Sequence, residues 1–420
     1  MKTHVDMVTN TGSDALTNSN ADVEYVLIPT VEEAKQFFGP ITIEERKWRN
    51  EVYFDELLKS PRSKLGIGEH DRAEAYIFGN GNYPFTDANA HQSHFPVSVK
   101  VIQIEELFLS CGETLDLTAY PNEFPWDTGD SEIYLQITVK RLVLSNQSKL
   151  VVNGNVFILN CEELVANDIN NGHATIELGT SNLVQQRSFT RINSIIDIPD
   201  YAIKGIDGAN GSPLTVEPTP LGLRVVNTND QCYGHNGTDG YNGLKGNKGR
   251  NGAMLYLSDL RFGKLTGFKT NSIWLKAGAG KGFPGSDGTN GGDGGNGGNG
   301  ANGLITPFGI VSGFPGGNGG CGGNGGNGGQ GGNGGMCCDI FISVPHRESA
   351  VFKSLNFPSK GGNGGNGGKG GKKGLAGTSG VFYENKSELQ VKNGIDGLDG
   401  LTGKAGKTRE APKVHIYEQK

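Results

Sequence analysis

The chain has 420 residues, of which 69 are glycine and 35% are hydrophobic, and its formal net charge is −6. That length allows two or three domains, but so few apolar residues argue against one large core holding the whole chain together. The negative balance argues against general affinity for nucleic acid, and no stretch approaches the ~18 consecutive apolar residues of a membrane span.

Residues 1–22 read as a flexible polar arm. Their sequence lacks the apolar core that a signal peptide needs, so an extracellular or virion-associated protein would have to leave the cell by lysis or a non-standard exporter. Residues 23–200 read as a mainly β domain with an early helical region. In "TVEEAKQFF", Thr30 with Glu33 three residues on forms a capping-box pattern. "TIEERKWRNEVYFDELLKS" is the best amphipathic helix candidate. Residues 66–96 look like loop. His70, Asp87, His91 and His94 fall there, but histidines three apart in a loop are a weak metal signal, and no metal or cofactor is expected.

From Ser98 the texture is strand-like. Ile102, Ile104, Leu107, Leu109, Ser110, Leu115 and Leu117 match Ile137, Val139, Leu142, Leu144, Ser145, Leu150 and Val152 at identical offsets. Leu159, Cys161, Leu164 and Ala166 form a weaker third copy; Leu255, Leu257, Leu260 and Phe262 form a fourth. Such copies suggest stacked strand–turn–strand rungs, a β-solenoid, with an ordinary antiparallel sandwich as the alternative. The six cysteines, Cys111, Cys161, Cys232, Cys321, Cys337 and Cys338, show no metal-site spacing, and any disulfide pairing stays open.

The remainder, 201–420, is governed by glycine. Six runs hold a three-residue phase: Gly205–Gly211, Gly234–Gly252, Gly282–Gly303, Gly313–Gly334, Gly362–Gly380 and Gly394–Gly406. A flexible linker keeps no register. A period of three suggests polyproline-II geometry, in which glycine on one edge lets another backbone approach closely enough to hydrogen-bond. Prolines are few, so the N–H donors are kept. The expectation is a bundle of polyglycine-II helices with β inserts, doubled-glycine runs lying inside. Disorder and a collagen-like trimer are the competing readings. The glycines expected to be structural are Gly234, Gly237, Gly240, Gly243, Gly246, Gly249 and Gly252 in the second run, and Gly285, Gly288 and Gly291 in the third. Gly316, Gly319 and Gly322 follow in the fourth, Gly365 and Gly368 in the fifth, and Gly397 and Gly400 in the sixth.

Asn-rich "GGNGGNGG" tracts in phase, separated by short non-repetitive segments, resemble the polyglycine-II bundles of T-even phage tail-tip adhesins and of snow-flea antifreeze proteins. The resemblance spans about 205–406 and is one of pattern. In the adhesins it implies that helices are scaffold and that the loops joining them at the tip touch a bacterial receptor.

The segments between the runs are therefore the binding candidates. Leu304, Ile305, Phe308, Ile310 and Val311 lie in "LITPFGIVS", His346, Arg347 and Phe352 in a longer insert, and Trp274 beside two lysines. Each could equally be packing, as a strand or a bundle cap. Catalytic motifs are lacking: Gly280, Gly282 and Gly285 match GxGxxG without a surrounding βαβ unit, and there is no GxSxG or HExxH. The reading is a non-enzymatic adhesin or receptor-binding tip. Its partner is a cell-surface receptor or glycan, with attachment to a fibre or other carrier through the N-terminal domain. A released toxin and an ice-binding protein are the alternatives.

Overall fold

The matching offsets at Ile102 and Ile137 become a parallel ladder. In the computed structural model, which describes residues 2–3, 21–38, 42–45, 47–48, 77–78, 95–129, 132–169, 172–179, 203–227, 229–382 and 391–419, Ile102 pairs with Ile137 and Leu107 with Leu142. Ile137 pairs with Leu159 and Leu142 with Leu164, and Leu159 pairs in turn with Leu260. Each rung thus repeats its apolar positions directly over those of the last.

In chain order the early elements are β1 (Lys2–Thr3), β2 (Asp22–Ile28), helix α1 (Val31–Phe37), β3 (Val97–Leu109), β4 (Thr114–Asp116), β5 (Ile133–Ser145), β6 (Lys149–Val152), β7 (Val156–Asn167) and β8 (Ala174–Leu178). The later strands are β9 (Val216–Thr219), β10 (Gly222–Val225), β11 (Ser258–Thr266), β12 (Ile273–Ala277), β13 (Leu304–Thr306), β14 (Gly309–Val311), β15 (Ile340–Val344), β16 (Phe352–Asn356) and β17 (Val414–Glu418). Eight form one sheet in the order β1-β2-β3-β5-β7-β11-β15-β17, antiparallel at its β1–β2–β3 end and parallel beyond. Five form a parallel sheet, β16-β12-β8-β6-β4.

The core fills the space between the two sheets, with Leu115, Leu150, Ile176 and Leu275 packed in the same cluster as Leu107, Leu142, Leu164 and Phe262. Each such side chain contributes ~1.5–3 kcal/mol of burial. The first half of the large sheet is buried on its other face too. Phe38, Tyr134, Val99, Ile158 and Phe341 cluster there around α1. The start of α1 follows the capping logic, the Glu33 N–H donating to Thr30 Oγ1 at 3.2 Å. Of the amphipathic candidate at 42–60, residues 43–45 and 47–48 are helical; the rest lies outside the described residues. So do residues 4–20 of the arm and the group His70, Asp87, His91 and His94. All six cysteines are free thiols.

One feature of the ladder is electrostatic. The alternation slips where two consecutive residues face out: Glu105-Glu106, Lys140-Arg141 and Glu162-Glu163. The slip aligns Glu106, Arg141, Glu163 and Lys264 across four strands. Arg141 bonds Glu106 and lies 3.8 Å from Glu163, which accepts from Lys264 at 2.8 Å. The Lys264 bond, then that of Thr266, holds the Glu163 carboxyl below its ordinary range. Its contribution to stability is therefore present above the unfolded-chain value of ~4.3 and lost as pH falls through the depressed folded value. Glu163→Gln should lower the melting temperature at neutral pH, and the gap from the parent should close in acid. A gap that persists below pH 3 would show that the charge is not its source.

The fold class expected from the sequence is corrected by the structure. The chain is mostly β, built on a large mixed sheet and a smaller parallel one, with little helix. It is not an N-terminal β domain followed by a polyglycine-II helical bundle. The glycine runs form neither α-helix nor sheet strand. Of the segments within 201–420, β11 takes its place as the expected fourth copy, and β15 and β17, taken for inserts, extend the same sheet as β3, β5 and β7. The physical reason is that alternate residues, Leu260 and Phe262 in one strand and Ile340, Ile342 and Val344 in the other, enter the core, and an open parallel edge satisfies their backbone groups.

Between β8 and β11, and again between β12 and β15 and between β16 and β17, the chain leaves the sheets along one glycine run and returns along the next. The outgoing runs lie side by side and parallel, the Gly205 N–H donating to Asp293 O at 2.7 Å and that of Gly285 to Asn363 O at 2.9 Å. The returning runs form a second layer, linked by Gly237 N–H to Asn318 O at 2.8 Å and Gly322 N–H to Ile395 O at 2.9 Å. The layers oppose each other, since Gly292 donates to Tyr241 O and Gly295 to Thr238 O.

One triplet shows the full accounting. The Gly322 N–H reaches the sixth run, the Gly323 N–H reaches Gly292 O in the third at 2.8 Å, and the Asn324 N–H reaches Asn242 Oδ1 in the second at 2.7 Å. Asn324 Oδ1 accepts in turn from the Leu398 N–H at 2.8 Å. A Cβ on any of the structural glycines named above would lie 1.9–2.3 Å from a neighbouring carbonyl oxygen. In the sixth run, Asp396 and Asp399 hold the triplet position that Gly322 and Gly325 hold in the fourth. They accept from the Lys373 and Gly370 N–H groups at 2.8 Å.

Candidate functional site

The three outward excursions turn back at one end of the glycine region. The described residues at this end are 212–227, 229–233, 304–312 and 381–382. Their roots touch: the Ala301 N–H donates to Cys232 O at 3.0 Å, the Gly303 N–H to Val381 O at 2.9 Å, and Ser312 Oγ to Phe382 O at 3.1 Å. Tyr233 packs edge-on against Phe314 below them, with ring centroids 5.6 Å apart.

Two of the returns are hairpins of one design. β9 pairs antiparallel with β10 and β13 with β14. The turns read Thr219-Pro220-Leu221-Gly222 and Thr306-Pro307-Phe308-Gly309. In both, the threonine Oγ1 donates to the glycine carbonyl, at 2.6 and 2.7 Å. Proline presets its own φ at the first turn position, and the glycines sit at φ 124° and 131°, where a side chain would be strained. The apolar third residue is thereby pushed into solvent. Leu221 is fully exposed and Phe308 is 78% exposed. Ile305 and Ile310, cross-strand partners at 71% and 58%, stand beside Phe308, while Leu304 and Val311 are half-buried. Val381 and Phe382 add a third exposed apolar pair.

The structure separates the binding candidates into two groups. Leu304, Ile305, Phe308, Ile310 and Val311 are at this end. Trp274, His346, Arg347 and Phe352 belong to the sheets. Phe352 is buried against Phe262, ring centroids 5.4 Å apart. His346 and Arg347 follow β15 and hold the last strand: His346 Nδ1 lies 3.7 Å from Glu418 Oε2, and the Arg347 N–H donates to the same oxygen at 3.3 Å. A Ser349 hydrogen bond, then that Arg347 bond, depresses the Glu418 carboxyl. The return at 212–233 was not singled out from sequence, although the repeated Thr-Pro-apolar-Gly word was there to find.

Among the described residues no group of three or more His, Cys, Asp or Glu is placed to hold a metal ion, and no helix is long and apolar enough to cross a membrane.

No family model matches the chain, and no curated protein matches it. Among solved structures it is similar to a springtail antifreeze protein from Granisotoma rainieri, described as a bundle of nine polyproline type II helices whose crystal waters match the ice lattice. The identity is 28%, over 38% of this chain and 94% of that one, with a TM-score of 0.07. A likeness at that score carries no argument about fold or function.

Proposed function

We propose that the chain is a non-enzymatic recognition protein, presenting paired apolar turns at the end of a stiff frame to a cell-surface receptor or glycan. The observation that carries this reading is the duplicated turn that holds Leu221 and Phe308 in water. Large apolar groups gathered at one exposed end mark contact surfaces, and aromatic anchors supply much of the energy in such contacts. The frame below is cross-linked by backbone hydrogen bonds at every third residue, so little ordering entropy is lost when the end docks.

The test is binding of the purified full chain to a panel of cells, beside a Leu221→Ser/Phe308→Ser double variant. Burying a side chain like Phe308 is worth ~1.5–3 kcal/mol, so affinity should fall at least ~10-fold while the melting temperature stays. Equal binding by parent and variant would remove the assignment. Dye release from the bound cells would replace recognition by toxicity.

A further inference from the structure

Three rungs of the five-stranded sheet bring together a second group. Thr175, Trp274 and Lys353 lie in one cross-strand row, and Glu177, Lys276 and Leu355 in another on the same face. The Trp274 indole stacks on the His173 imidazole with centroids 3.4 Å apart and planes 9° from parallel. Lys353 Nζ stands 4.9 Å and Lys276 Nζ 5.9 Å from the indole centroid. Neither lysine forms an ion pair among the described residues. Glu177, the cross-strand neighbour of Lys276, lies 3.4 Å from Lys149. Burial first, then the charges of Lys276 and Lys353, holds the His173 imidazole below its ordinary value. Two ammonium groups that form no ion pair among the described residues thus flank one part-exposed aromatic ring, and an anion seated between them would relieve their repulsion.

We propose that His173, Trp274, Lys276 and Lys353 form a binding site for an acidic saccharide, its carboxylate or sulfate groups meeting the two ammoniums and its ring packing on the indole edge. The ring is what favours a sugar over a bare ion, since it offers apolar contact beside charge. This site lies on the sheets and is independent of the apolar turns.

The experiment titrates the full chain with heparin, polygalacturonate, neutral dextran, sodium sulfate and duplex DNA, following Trp fluorescence and calorimetry. Heparin or polygalacturonate should bind in a salt-sensitive way and dextran should not; binding of polygalacturonate shows that carboxylates suffice, and binding of heparin alone shows that sulfate is required. Lys276→Gln/Lys353→Gln should weaken that binding at least ~10-fold, and Lys276→Arg/Lys353→Arg should largely restore it. Lys404→Gln/Lys407→Gln, exposed at and just past the end of the sixth run, should leave it unchanged, as should Leu221→Ser/Phe308→Ser. The proposal is overturned if neither acidic polymer binds, if the Gln variant binds as the parent does, or if free sulfate or DNA competes as well as the saccharide. Loss of cell binding in the turn variant with saccharide binding intact would confirm that the two surfaces act separately.

Discussion

Gly323→Val is expected to collapse the glycine region. A Cβ there would sit 2.0 Å from Tyr241 O and 2.5 Å from its carbonyl carbon. The obstacle is backbone, which cannot rotate aside as a side chain could. Overpacking costs ~1–3 kcal/mol where neighbours can yield. Here the fourth run is hemmed in by the second, third, fifth and sixth, so relief means breaking hydrogen bonds worth ~0.5–1.5 kcal/mol each along the line. The sum is a large share of the ~5–15 kcal/mol that domains usually have. Limited proteolysis should cut within 282–334 in the variant and not in the parent. Lys369→Val is the matched control, because that side chain is exposed and its backbone N–H keeps its bond to Asn290 Oδ1 at 2.8 Å. It should shift stability by less than ~0.5 kcal/mol. Equal protease resistance in the Gly323 variant would refute close backbone contact as the organising force.

Phe262→Ala should cost ~3–5 kcal/mol. The ring is fully buried between the two sheets and tilts against Phe352, which comes from a strand 90 residues further on. The larger point is where the loss is felt. β11 receives the second run and β12 leads into the third, so the sheets fix both ends of each excursion. Melting followed by near-ultraviolet dichroism for the core and by hydrogen exchange for the glycine amides should shift down together. Glycine amides that keep their protection while the core loosens would mean that the two parts stand independently.

What the sequence disclosed was local or strictly repeated. Thr30 with Glu33 announced a helix start, and the copies beginning at Ile102 and Ile137 announced their own register. The glycine phase announced close backbone approach. The membership of β15 and β17 in the large sheet was hidden, because a five-residue strand does not name its partner. β15 pairs with β11 from 82 positions away, as Ile340 with Ser258 shows. The longer strands were legible because their neighbours in space were nearly neighbours in sequence. The asparagines are an instructive omission. They served only as a mark of resemblance, yet their side-chain oxygens take N–H groups 82 and 74 residues away along the returning layer and 79 residues away along the outgoing one. Their fixed place in the triplet was the available signal. The charged row Glu106, Arg141, Glu163 and Lys264 was likewise readable as alternating sign at one offset of the repeat. At the candidate site, "TPLG" and "TPFG" are one word written twice, and only the hairpins give it meaning.

An arrangement that grows by copying the same bond has no reason of its own to halt. Any exposed flank could template a further segment, from this chain or another, as happens at unguarded strand edges. Asp396 and Asp399 supply the full stop. Each puts a branched atom where an incoming backbone would need bare space, and each carboxylate already occupies an amide that a newcomer would have claimed. Asn393, one triplet earlier, takes the Ala376 N–H in the same way, so three side chains along that flank close amides that a further run would need.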